Sequence, residues 1–245
     1  MIDIKNLTIN YDKEVIDNIS FAIQPGKVHV LMGRNGAGKS TILNAISGLV
    51  QYDGDIITDG KISYLNQNIN TKVNFTVFET IILGKVENLN FKLKEEDIKD
   101  TYEIMKLLDL TKFKDKKINK MSGGEVQKVL IAQALISKPD ILLLDEPVSA
   151  LDLHNQYEIL AIIRRLTKEL NLTTLITLHQ MELVERYADN IILINDGKVY
   201  GIGDKYKIFT KKMFEEVYNI DANINEVDDN LLFLFNIHPD KRVNI

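Results

Sequence analysis

Nine residues, Gly33-Arg34-Asn35-Gly36-Ala37-Gly38-Lys39-Ser40-Thr41, combine three glycines, an ammonium and two hydroxyls. That combination suits a phosphate chain. Glycines at 33, 36 and 38 let backbone N–H groups converge on phosphate oxygens, and the helix that follows adds the positive end of its dipole. The spacing Gly-x-x-x-x-Gly-Lys-Ser is the phosphate-loop pattern. It assigns Lys39 to the β- and γ-phosphates and the Ser40 hydroxyl to Mg²⁺, with Asn35 and Thr41 inside the same cradle.

A second chemical centre lies at Asp145-Glu146-Pro147, where four consecutive apolar residues, Ile141 to Leu144, run into two carboxylates. Continuous apolar strands belong inside parallel sheets. Carboxylates at the end of one are placed to serve a phosphate site, Asp145 holding Mg²⁺ through water and Glu146 polarising the attacking water.

A third centre is Ser122-Gly123-Gly124-Glu125. Ser122 with Glu125 three residues on makes a capping box, which leaves the paired glycines unexplained. Each interior glycine weakens a helix by up to ~1 kcal/mol, so the pair predicts a backbone that something approaches closely, such as a second anion. Three single residues stay open on their own: Gln67 as a metal or water ligand or a plain loop amide, His179 as a γ-phosphate contact or a structural histidine, and Tyr11 as a base-stacking ring or the cap of a hairpin.

The elements that must position these groups follow from periodicity. Residues 28–32 read as a buried strand before the glycine loop and 41–46 as a helix after it. Alternation at Ile2, Ile4, Leu7 and Ile9, then Val15 to Ile23, predicts antiparallel strands around a turn. Short strands follow near 53–57 and 60–65. From 76 to 136 the strands stop and helices take over, so this block reads as a helical insertion. Its helix at 95–108 has Ile98, Tyr102, Met105 and Leu108 as the apolar stripe, and the lysines of 112–120 read as a solvated loop. A helix at 126–136, the 141–144 strand, a helix at 155–170 and a β-branched strand at 173–178 complete the centre. Beyond it come a helix at 181–188, a hairpin about Asp196-Gly197, a helix at 211–218 and a small terminal hairpin over 223–235. The fold class expected is α/β: a phosphate-loop core with a mixed sheet flanked by helices, an N-terminal antiparallel β subdomain and the inserted helical subdomain. It makes one domain over 1–245, with an α/β extension over 205–245.

The 245 residues carry 35 acidic and 30 basic side chains, a net charge of −5, and no cysteine. The balance argues against a general nucleic-acid partner, and disulfides are excluded. No apolar run reaches the ~18 residues of a membrane span, and residues 1–5 lack a signal core. A cytoplasmic protein is expected, with any membrane role coming through partners.

Taken in order, the motifs resemble those of the ATP-binding cassette (ABC) family. GRNGAGKST (33–41) resembles its Walker A loop, Gln67 its Q-loop, MSGGE (121–125) its signature, ILLLDEP (141–147) its Walker B strand, SALD (149–152) its D-loop and His179 its switch histidine. Tyr11 stands where the family has an adenine-stacking aromatic. Met121 for the commoner Leu, Gln133 for Arg and Gln180 for Asp are small departures. The resemblance implies ATP and Mg²⁺ as cofactors, with Ser40, Gln67 and Asp145 around the metal and Glu146, His179 and Gln67 in catalysis. It implies a homodimer in which Ser122, Gly123, Gly124 and Asp152 of one copy complete the site of the other. It also implies two membrane permease subunits docked on the helical insertion, a substrate-binding protein beyond them, and a place on the inner face of the cell membrane. Stretches 76–85, 145–160, 182–203 and 214–224 are similar to the importer branch for iron chelates, heme and cobalamin. Importers of zinc, manganese or molybdate, and a soluble iron–sulfur assembly ATPase, are the alternatives.

Overall fold

A computed structural model of the chain describes residues 1–11, 14–66, 74–86 and 93–236. In chain order it runs β1 (Ile2–Asn10), β2 (Glu14–Ile23), β3 (Lys27–Met32), α1 (Lys39–Ile46), β4 (Asp53–Thr58) and β5 (Ile62–Leu65). Next come α2 (Val77–Ile82), α3 (Glu95–Leu107), α4 (Gly123–Leu135), β6 (Ile141–Leu144), α5 (Leu153–Glu169) and β7 (Thr173–Thr177). Last are α6 (Met181–Tyr187), β8 (Asn190–Asn195), β9 (Lys198–Gly203), α7 (Lys205–Ile208), α8 (Lys211–Met213), β10 (Asp221–Val227) and β11 (Asn230–Asn236).

The central sheet has the order β5-β6-β7-β3-β8-β9. Its first five strands are parallel, and β9 returns antiparallel at the edge. A separate antiparallel sheet, β2-β1-β4, is the N-terminal subdomain. The mixed sheet with its flanking helices and the antiparallel subdomain is therefore present. The alternation of side chains along each strand divides the interior in two. Val30, Met32, Leu142, Leu144, Ile176 and Leu193 face a core shared with α4 and α5. Leu31, Leu143, Leu175, Ile192 and Ile194 face the other, shared with α1 and the antiparallel strands. The sheet is thus packed on both faces, and Ala37 of the glycine loop is anchored in the second core. Asp196 and Gly197 both have positive φ, 46° and 75°, as the tight β8–β9 turn requires.

The described residues of 76–136, which leave out 87–92, form helices and short turns and no strand, and Thr76↔Lys117 is an isolated bridge among them. Its central helix does not bury the expected stripe. Met105 and Leu108 are buried, but Ile98 and Tyr102 are 40% and 39% exposed. Asp97, Asp100 and Thr101 are buried in their place. Lys85 pairs with Asp97 at 3.1 Å and also with Asp100, and Lys138 reaches Asp100 at 3.0 Å. Bonding to Lys85 holds the Asp100 carboxyl below its ordinary range, so buried aspartates that are paired displace the apolar stripe. The lysines of 112–120 are more than a solvated loop. Lys114 lies 5.0 Å from the Tyr102 ring centre, and Lys116 pairs with Glu125 at 3.1 Å. The helix expected at 211–218 is α8 followed by a π-turn, Phe214–Tyr218, which ends at left-handed Asn219.

Candidate active site

Strand order decides what can meet. β7 lies between β6 and β3, and neighbouring strands are about 4.8 Å apart. The loops leaving the carboxyl ends of β3, β7 and β6 are therefore adjacent, in the place where open α/β sheets bind ligands. The β3 loop carries Lys39, the β7 end carries Thr177 and His179, and the β6 end carries Asp145 and Glu146.

Lys39 is 6% exposed, and its ammonium donates to the Gly33 carbonyl at 2.9 Å and the Arg34 carbonyl at 3.0 Å. Burial pulls its pKa down, while the nearby Glu146 and Asp145 charges oppose the shift. An ammonium has three donors, so one remains for an anion. Gly38 caps α1 at φ 93° with no side-chain cap, and the first turn holds no acidic residue. The free N–H groups of that turn are left for a ligand of negative charge. A Cβ at Gly38 would overlap Ile16 of β2, so packing as well as φ demands glycine. Val15, Asn35, Gly36, Gly38, Lys39, Ser40, Thr41 and Glu146 line one cleft of about 250 Å³. Gly33 is buried and meets the site through its carbonyl, which accepts from Lys39.

Asp145 is 4% exposed. Its Oδ1 accepts from the Thr177 hydroxyl at 2.7 Å, and the same hydroxyl accepts from the Glu146 N–H at 2.7 Å. Burial and the Asp145 charge push the Tyr64 phenol pKa up. Glu146 is left-handed, φ 47°, and its Oε1 lies 3.4 Å from Nδ1 of His179. The structure thus brings Lys39, Ser40, Asp145, Glu146 and His179 together. Val15 and Thr177 belong to the same neighbourhood. In the sequence both read only as strand residues, because nothing local marks a β-branched side chain as facing a cleft.

Other expected residues lie elsewhere. Gln67 falls outside the described residues. Tyr11 is 57% exposed in the turn after β1. Ser122, Gly123, Gly124 and Asp152 do not line the Lys39 cleft. Ser122 and Glu125 form the expected capping box of α4, with bonds of 3.3 and 3.0 Å. A Cβ at Gly124 would overlap the Asn155 side chain, so α4–α5 packing by itself accounts for one of the two glycines. Gly123 and Ser122 are exposed. Asp152 caps α5, accepting from the Asn155 N–H at 2.9 Å and its amide at 2.8 Å.

A glycine cradle with a buried lysine, two carboxylates and a histidine defines a nucleoside-triphosphatase site. The ABC transporter family model matches residues 16–149, and the chain belongs to that family. It is an ATP-binding, ATP-hydrolysing subunit of the transporter type. The petrobactin import ATP-binding protein of Bacillus subtilis is 29% identical over 244 residues, covering 94% of this chain and 97% of that protein. A metal-chelate type ABC transporter, solved facing inward, superposes with TM-score 0.88 at 25% identity over 98% of each chain. A dimeric ATP-binding cassette bound to ADP and phosphate gives TM-score 0.71 at 28% identity, over 83% of this chain and 98% of that one. No helix among the described residues is long and apolar enough to cross a membrane.

Proposed function

We propose that this chain is the ATP-driven motor of an importer for a metal chelate, an iron–siderophore, heme or cobalamin, and that two copies hydrolyse ATP at shared sites. The observation that carries the hydrolytic reading is the convergence of Lys39, Asp145, Glu146 and His179 at neighbouring strand ends. The loop amides and Lys39 cradle the phosphates, and Tyr11 stacks on the base. Glu146 takes a proton from the attacking water as the phosphoryl bond breaks, and His179 orients Glu146. Mg²⁺ favours few protein oxygens plus phosphates and water; the Ser40 hydroxyl and the Asp145 carboxylate would hold it, with the Gln67 amide as a further ligand. Among the described residues no cluster of three acidic or histidine ligands competes for a resident ion. Bound there, the metal would neutralise phosphate charge.

Ser122, Gly123, Gly124 and Asp152 act on the nucleotide of the second copy. What supports this is the exposure of Ser122 and Gly123 away from the Lys39 cleft and the dimeric state of the ADP-bound relative. In the dimer the two 76–136 insertions dock two membrane permeases, one to each copy, which would place the chain on the inner face of the cell membrane.

The substrate class rests on likeness to the petrobactin import protein and the metal-chelate transporter. Its test is ATPase of the complex isolated with the copurifying membrane subunits. A binding protein loaded with ferric chelate, heme or cobalamin is expected to stimulate turnover several-fold. Stimulation only by one loaded with zinc, manganese or molybdate overturns the substrate class. Copurification with a soluble iron–sulfur scaffold in place of membrane subunits overturns the importer.

A further inference from the structure

We propose that Thr177 is the positioning residue that holds Glu146 in its working geometry, an inference that rests on Glu146 acting on the attacking water. The backbone of Glu146 sits at φ 47°, a left-handed conformation that costs a residue with a Cβ. Pro147 follows, and a residue before proline is restricted further. Such a conformation persists only where surrounding bonds fix it. Here the Glu146 N–H donates to Thr177 Oγ1 at 2.7 Å. The Glu146 carbonyl accepts from the Ser149 N–H at 3.3 Å and the Ser149 hydroxyl at 3.2 Å. Both ends of the residue are pinned, and its carboxylate is left facing His179.

The hydroxyl of Thr177 also donates to Asp145 Oδ1 at 2.7 Å. One oxygen therefore accepts from the backbone of one acidic residue while donating to the side chain of the other. Among small side chains only Ser and Thr both donate and accept strongly through one atom. Thr177 is fully buried at the end of β7, between the β6 and β3 loops. Thr174 on the same strand shows the contrast, since its hydroxyl pairs with that of Thr167 on α5 at 2.7 Å and touches neither acid. Thr177 thus ties the carboxylate of the acid assigned to the metal to the backbone N–H of the acid assigned to water.

The test compares Thr177→Val, which keeps the shape and removes the hydroxyl, with Thr177→Ser, which keeps the hydroxyl. Misplacement of a reacting group by about an ångström costs on the order of 100-fold. T177V is expected to lower kcat roughly 10- to 100-fold with KM for ATP changed less than about two-fold. Exchange of the Glu146 amide, followed by NMR, is expected to speed up in T177V and to stay slow in T177S, whose kcat returns to within about two-fold of the parent. Should T177V fail to fold, Thr177→Cys, with its weak S–H donor, replaces it against T177S. Unchanged kcat in the variant without a strong hydroxyl, or an equal loss in T177S, overturns the role. Glu146→Gln runs beside them. If that variant keeps its turnover, the assignment of the base fails; if it is dead while T177V is fully active, only the positioning role of Thr177 fails.

Discussion

Glu146→Gln is expected to bind Mg·ATP within a few-fold of the parent and to lose hydrolysis by roughly 100- to 10,000-fold, the range a positioned general base contributes. Gln keeps the length of Glu and its place against His179, 3.4 Å away, while removing the negative charge that draws the proton from water. Glu146 also lines the same cleft as Lys39, Ser40 and Thr41, so a neutral side chain there weakens no contact that the phosphates need. With the nucleotide bound and not consumed, two copies are expected to stay together. Gel filtration then shows a dimer with ATP and a monomer without it. Turnover at the parent rate would move the base elsewhere, and His179 would be the next group to change.

Lys39→Ala is expected to fail one step earlier, at binding. The ammonium is buried and already bonded to Gly33 and Arg34, so its position is set before any phosphate arrives. A charged hydrogen bond of this kind contributes about 1.5–3 kcal/mol, which is roughly 10- to 150-fold in affinity. The substitution removes the one donor left for the phosphates, and turnover falls to background. Titration with a non-hydrolysable ATP analogue measures it. Affinity within two-fold of the parent, in a variant that melts normally, would contradict the assignment of the loop.

What the sequence displays well is chemistry that is local. The cradle is legible because glycines, lysine and hydroxyls lie within nine residues, and 141–144 is legible because a four-residue apolar run has little choice but a buried strand. The stripe of α3 departs from its periodicity for a different reason. Ile98 and Tyr102 obey helical spacing, yet the aspartates beside them are buried because Lys85 and Lys138, distant in the chain, supply the charge. Gly124 illustrates the same limit. Its need for a bare backbone is set by Asn155, thirty-one residues on and on another helix. Thr177 is invisible for the reverse reason. A threonine in a β-branched strand needs no explanation until β6 is laid beside it and its hydroxyl meets both acids.

The claim that two copies share each site is tested most directly by mixing two inactive variants. Lys39→Ala lacks the cradle. Ser122→Asp keeps an oxygen for the α4 cap and sets a negative charge where the other copy's γ-phosphate would lie. In a mixed dimer one site pairs the intact Lys39 of one copy with the intact Ser122 of the other, and the second site carries both defects. Single-turnover hydrolysis is measured on the mixture, with heterodimer content established by differently tagged copies. Each parent is expected at background and the heterodimer at up to half the single-turnover amplitude of the unmodified dimer. Hydrolysis at the parents' background in a verified heterodimer would contradict the shared site.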